Sequence, residues 1–490
     1  MSSEVEKAKD VGGEDFLSGD NEPISNSSDL EQEKQRIAQE FHANGNIGTY
    51  QFFINSLDSM NLGAAQRSGS VPKPSNQTYQ LYTRSGCSDF VERYKNSEHL
   101  AVAIVLSVIE LVRLSDLSEL KALLVEELPT AEPEGEDGTP AVRAPYISMN
   151  TFLTAIGGEW FMNQDGQQCV GLGEHSQQAL QIIWEQFPAL RDPICRWLVR
   201  LCQVYKFRTA FDANQVVCAF VRVISLDFED ARKRIFTRLY SYGDSTGLLG
   251  NIMYKLYEDS SLQQEAEHML LWWLSSESNW LWRPACLACS RLMPQLDHER
   301  FDPPLEKVMN RRLNRLTKGD AAFIAVLLEQ SEYFRTLLTR LLGRAIQRES
   351  RRAGRLQTAQ AYLYLLRNSY YLVNAGSPVL PLAACDSRQQ QQFLTPVLRV
   401  VMFQSALRKQ LYAILRAYMK ELSYYQHTQQ LVDHLCAYYY NMAQSAPDYW
   451  LDILQFLDNC QGKLSKQICE RLRSLYRPVQ QLPSAFCGDQ

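Results

Sequence analysis

The chain has 490 residues, 45% of them hydrophobic and 21% charged, with a formal charge of −5. That balance suits a globular protein with material for a large core, and the length suggests two to four units of roughly 150 residues. It excludes a chain that is basic overall, while leaving room for a local basic patch.

Residues 1–40 carry eleven Asp/Glu against four Lys/Arg, a net of −7, with few large apolar groups. Such composition does not offset the entropy of ordering, so a disordered acidic tail is expected, turning helical near Leu30 to Phe41. Residues 41–80 join Asn/Gly punctuation to an aromatic run and end in a Ser/Gly/Pro linker over 64–80. The run is uncharged from Ala43 to Leu57 and lacks Pro. Two readings fit it: a strand that pairs with copies of itself or adds to another sheet through Ile47, Tyr50, Phe52, Phe53 and Ile54, or an edge strand or loop folded onto the body. A short Asn/Gly-rich segment beside such a tail resembles the amyloid-type signalling motifs of bacterial immune receptors, which implies self-association.

Residues 81–128 read as a helical unit. Leu100 to Leu114 is nearly all apolar, shorter than the about 20 residues a membrane crossing needs, and is predicted to be one buried helix. Leu117, Leu120, Leu123, Leu124 and Leu128 supply a second. An acidic Pro/Gly linker occupies 129–147. Within 148–190, two short runs, Glu159 to Met162 and Cys169 to Leu172, flank an Asp165-Gly166 turn and predict a β-hairpin between helices at about 148–156 and 176–187. A winged-helix unit would look similar. No Lys or Arg lies between Arg143 and Arg191, so the hairpin is read as structural rather than phosphate-binding.

Residues 191–375 form the predicted array. Between Asp212 and Met293 one amphipathic pattern is restated about five times, as in Val216, Val217, Phe220, Val221 and Ile224. Starts near 212, 227, 246, 261 and 281 follow from Asp212, Asp227 and Ser261 as capping residues. They give helix pairs roughly 35–40 residues long. A helix of that size cannot hide its own apolar stripe, so neighbours must stack. The run from Trp282 through Arg283, Pro284, Ala285, Cys286, Leu287, Ala288, Cys289, Ser290 and Arg291 to Leu292 resembles the second helix of a HEAT-type repeat. Such repeats occur in the helical arms of signal-transducing ATPases of bacterial conflict systems. The resemblance implies an all-α, HEAT- or armadillo-like array with one small hairpin, and a regulatory place in a defence or signalling system. No phosphate-binding loop of the G-x-x-x-x-G-K-[ST] type is present, so the ATPase itself is not implied.

From Lys307 to Arg355 there are twelve Lys/Arg against four Asp/Glu, a local excess of +8. Arg340, Arg344, Arg348, Arg351, Arg352 and Arg355 recur every three or four residues and are predicted to share one helix face. A nucleic acid or an acidic protein is the functional reading; a solvated face opposite the Phe334, Leu337, Leu338, Leu341 stripe is the structural one. Residues 376–490, set off by Pro378 and Pro381, read as a C-terminal helical unit rich in tyrosine. Those rings suit either an interface or the gaps between stacked helices.

Chemical motifs are sparse. Cys286-x-x-Cys289 is a lone pair within an apolar helix, Glu265-x-x-His268 has no second copy, and His427 and His434, which share a helix face with Asp433 adjacent, read as a polar helix edge. Asp297-His298-Glu299, between prolines, is expected in a turn. The expectation is therefore a non-enzymatic scaffold or adaptor that binds another protein, needs no cofactor or metal and does not enter a membrane. The alternative is nucleic-acid binding through the arginine face. Twelve cysteines, mostly within helical patterns, and a start without an export signal suggest a cytoplasmic setting.

Overall fold

The computed structural model describes residues 66–67, 79–94, 98–129, 149–162, 166–204, 210–240, 246–276, 281–372, 388–422, 429–460 and 462–475. The acidic tail, the aromatic segment holding Ile47, Tyr50, Phe52, Phe53 and Ile54, nearly all of the 129–147 linker and the break at 375–387 lie outside them. The described residues are almost entirely helical, joined by one small antiparallel sheet. No helix among them is long and apolar enough to cross a membrane.

Helix α1 (Arg84–Arg93) starts where the Thr83 hydroxyl accepts from the Gly86 amide at 3.2 Å. Helix α2 (Glu98–Val108) is buried continuously from Leu100 to Val108, as its lack of a polar face requires. The single helix predicted to Leu114 stops there. Strand β2 (Val112–Arg113) intervenes before α3 (Leu114–Val125). The backbone of β2 finds its partners across a sheet instead of along a helix.

That sheet gathers β1 (Gln66–Arg67), β2, β3 (Glu159–Met162) and β4 (Gln168–Gly171) in the order β1-β3-β4-β2. The predicted hairpin is present, with Trp160 opposite Val170 and Phe161 opposite Cys169, and Gly166 supplies φ +71° at its turn. Two expectations need correction. The linker read over 64–80 contains a strand at Gln66–Arg67, and the hairpin is the middle of a sheet, because both of its edges need partners for their amides and carbonyls. A Cβ at Gly171 would lie 2.2 Å from the Glu110 carbonyl, so β4 can approach the end of α2 only without a side chain. Arg113 and Asp116 form an ion pair at 2.8 Å beside β2, each side chain 6% exposed.

Helix α4 (Met149–Ala155) leads into the hairpin, and α5 (Ser176–Gln186) and α6 (Pro188–Val204) leave it. Helix α2 packs on α3 and α5, and α3 on α6, where the Trp197 indole donates to the Leu120 carbonyl at 3.1 Å.

The array follows as α7 (Ala210–Leu226), α8 (Phe228–Tyr240), α9 (Thr246–Glu258), α10 (Gln263–Ser275), α11 (Trp282–Leu292), α12 (His298–Leu313), α13 (Lys318–Gln330), α14 (Glu332–Arg348) and α15 (Arg352–Leu372). Asp227 caps α8 as predicted, accepting from the Asp230 amide at 3.1 Å. The other two starts differ from the expectation. Helix α7 already begins at Ala210, placing Asp212 inside its first turn, and the Ser261 amide is held by the Asp259 carboxylate at 2.9 Å, ahead of α10. Asp297 likewise ends the expected turn early: its carboxylate accepts from the Glu299 amide at 3.0 Å and starts α12.

The C-terminal elements are α16 (Arg388–Phe403), α17 (Ser405–Leu422), α18 (Gln429–Ser445), α19 (Trp450–Asn459) and α20 (Lys463–Leu475). Along most of this length each helix packs on the next but one. Helices α7, α9, α11, α13, α15 and α17 form one succession, and α10, α12, α14, α16, α18 and α20 another. Small residues set the closest crossings. A Cβ at Gly250 of α9 would meet the Leu287 side chain at 2.8 Å, and one at Gly343 of α14 would meet the Phe393 carbonyl of α16 at 2.5 Å. Many of the tyrosines fill the gaps between helices. Tyr362, Tyr418, Tyr438 and Tyr439 are fully buried, with the Tyr362 and Tyr438 hydroxyls 2.8 Å apart.

Candidate functional site

The six arginines of the basic run do not share one helix. Arg340, Arg344 and Arg348 lie on α14, which ends at Arg348; Arg351 follows in the corner; Arg352 and Arg355 open α15. The predicted continuous face is broken because the chain turns at Glu349, whose amide still bonds back to the Ala345 carbonyl at 3.1 Å while its φ/ψ has left the helical region. The Glu349 carboxylate then accepts from the Arg351 amide at 2.9 Å, and its carbonyl takes the Arg355 guanidinium at 2.7 Å. A Cβ on Gly354 would lie 2.4 Å from the carboxyl carbon of this side chain, so a larger residue there would have to push the Glu349 carboxylate aside.

Two of the six are already occupied. Glu306 of α12 pairs with Arg340 and lies 3.7 Å from Arg344. The carboxylate that engages these two lies one residue before the basic segment 307–355. Arg348, Arg351, Arg352 and Arg355 are exposed and form no ion pair among the described residues. Four guanidinia are therefore left around one corner.

A cleft of about 250 Å³ opens at that corner, between the end of α12, the end of α14 and the first turns of α15. Leu313, Leu342, Ala345 and Ala361 contribute apolar groups to its wall. Asn310, Asn314, Gln357 and Thr358 add amide and hydroxyl groups, and Arg348 stands beside Glu349. Sequence reasoning found Arg348 but missed the rest. Asn310 and Gln357 sit on different helices 47 positions apart, and no periodic signal links them. The volume is below the roughly 300–1,000 Å³ of typical small-molecule pockets, so it suits one or two side chains of a larger partner.

The other candidates fall into structural roles. Cys286 and Cys289 are fully buried in α11, and burial pushes both thiols above the ordinary range. Thiols held in that state are poor nucleophiles. Above them, the Trp282 ring packs edge-on to Phe323 at 5.1 Å, with the Arg312 guanidinium 5.0 Å from its centroid and Arg283 bonded to Asp320 at 2.8 Å. Glu265 and His268 are both exposed on α10. Asp433 beside His434 pairs with Arg471, and His427 lies outside the described residues. Among the described residues no three His, Cys, Asp or Glu side chains converge as a metal site.

These features define a nearly all-helical body with one small sheet and a polar cleft that Arg348 lines. No protein-family profile and no curated protein matches the chain. Among solved structures, an engineered protein from the Northeast Structural Genomics Consortium is 13% identical, with 62% of this chain and 84% of that chain covered and a TM-score of 0.26. A likeness of that size carries no argument.

Proposed function

We propose that this protein is a non-enzymatic helical scaffold that binds a partner protein at the α14–α15 corner. The observation that carries this reading is the conjunction of four exposed arginines with a cleft of side-chain size, on helices locked in place by backbone-close crossings. The succession of helices packed each on the next but one supports the resemblance to HEAT-type arrays, whose surfaces serve binding. Free cysteines buried within helices support a reducing, cytoplasmic setting. Nucleic-acid binding is the second reading, favoured by the same arginines. It is weakened by Glu306, which takes Arg340 and Arg344 out of any phosphate-tracking row.

Co-purification of the full chain with and without nuclease tests the choice. A protein that stays bound after nuclease treatment and is lost from the Arg348→Glu/Arg352→Glu variant supports the scaffold. Material that disappears with nuclease, or a protein whose retention ignores the double reversal, refutes it.

A further inference from the structure

Resting on the reading of this corner as a protein-binding site, we infer that its occupant is an acidic peptide segment carrying one short apolar anchor, with the anchor in the cleft and its carboxylates on the guanidinia. Each part of the cleft asks for a different part of such a ligand. The apolar wall formed by Leu342, Ala345 and Ala361 offers a dry seat to an aliphatic side chain. Asn314 and Gln357 present amides, which both donate and accept, as an extended peptide backbone requires. Arg348 in the cleft wall and the exposed Arg351, Arg352 and Arg355 that follow it in the chain give fixed positive charge, and a guanidinium fork matches a carboxylate in plane.

The one acidic group in the cleft does not oppose this. The Glu349 carboxylate is turned onto the Arg351 amide at the head of α15, and its carbonyl fixes Arg355, so it organises the corner. A polynucleotide fits less well. Its phosphates are evenly spaced and need a track of cations, whereas here Arg348 alone among the arginines lines the recess, beside an apolar wall that has nothing to offer a phosphate.

The test uses the full chain and a fluorescein-labelled twelve-residue peptide of glutamates with one central leucine, measured by anisotropy at fixed salt. Three competitors accompany it: the same peptide with serine in place of leucine, an all-lysine peptide with the leucine kept, and a twelve-nucleotide single strand. Binding by the first peptide is expected to weaken about tenfold in Arg348→Glu/Arg352→Glu, the size expected when two exposed charge contacts are reversed. It should weaken several-fold when leucine becomes serine, and again in Gln357→Trp, which fills the cleft at an exposed position without changing charge. Circular dichroism of each variant checks that the helices persist. Equal affinity for the serine peptide, equal affinity for the nucleotide strand, or indifference to the double reversal would overturn the inference. If the peptide fails while the nuclease-resistant partner still depends on Arg348 and Arg352, the ligand chemistry is wrong and the scaffold stands. If both fail, the scaffold reading falls as well.

Discussion

Gly343→Ala is a direct probe of how the candidate cleft is held. A Cβ at this position would lie 2.5 Å from the Phe393 carbonyl oxygen and 3.2 Å from that residue's Cα and carbonyl carbon. Ordinary contact begins near 3.4 Å, so the shortfall at the oxygen is about 0.9 Å. Those atoms are backbone within α16, and no rotamer change moves them. Helices α14 and α16 must separate, which as overpacking costs typically ~1–3 kcal/mol. Alanine returns ~1 kcal/mol of helix propensity over glycine, leaving a net loss on the order of 1 kcal/mol. Gly250→Ala is the control. Its Cβ meets mainly the end of the Leu287 side chain, at 2.8 Å, which has more freedom to move aside, so its net effect should be smaller. Urea unfolding of both variants followed by far-ultraviolet circular dichroism, with the slope checked against the parent chain, measures the difference. If Gly343→Ala proves as stable as Gly250→Ala, the α14–α16 crossing is not the rigid contact inferred here. The position of Leu342, Ala345 and Arg348 would then need another explanation.

Asp116→Asn should destabilise the sheet-bearing unit by ~3–5 kcal/mol, the usual cost of stripping one partner from a buried ion pair, whereas Arg113→Met/Asp116→Leu should recover most of the loss; thermal melts of the two variants decide this. Burial raises the Glu329 carboxyl above its ordinary range. The folded state therefore holds that proton more tightly than the unfolded chain, and the associated stability is present at low pH and lost as pH rises through the folded pKa. Glu329→Gln should remove that dependence and be at least as stable as the parent at neutral pH, read from urea midpoints across roughly pH 4–8, which runs upward from the ordinary glutamate value of about 4.3. His99 has the opposite sign. Burial against Phe152 and Tyr94 lowers its pKa, so stability should fall as pH drops through the folded value, and His99→Gln should flatten the acid limb of the same profile. Finally, Glu306→Gln releases Arg340 and Arg344 and should tighten binding of the glutamate peptide while steepening its salt dependence; an unchanged salt slope would show that these two arginines face away from the ligand.

The helices of the array were legible in the sequence because each one's apolar stripe is a local property. Starts expected near 227, 246 and 281 appear at Phe228, Thr246 and Trp282, since periodicity and a residue such as Asp227 act within a single turn. The hairpin was legible for the same reason, its turn being built on Gly166. Capping failed at Ser261 because the Asp259 carboxylate takes both its amide and its hydroxyl, ahead of the helix. The end of α2 failed because strand pairing depends on β4, more than fifty residues away in sequence by order of magnitude, and apolar composition does not separate strand from helix in a short run.

The candidate site needed tertiary structure for a simple electrostatic reason. Charge can be counted along a chain, but whether a charge is free depends on what stands within a few ångströms of it in space. Glu306 engages Arg340 and Arg344 across the α12–α14 contact, and Glu349 turns the corner that separates Arg348 from Arg352. Sequence determined that a basic segment runs beside an apolar stripe. Only packing decided which guanidinia stay exposed, and brought Asn310 and Asn314 of α12 and its C-cap beside Gln357 of α15 to make a recess between them.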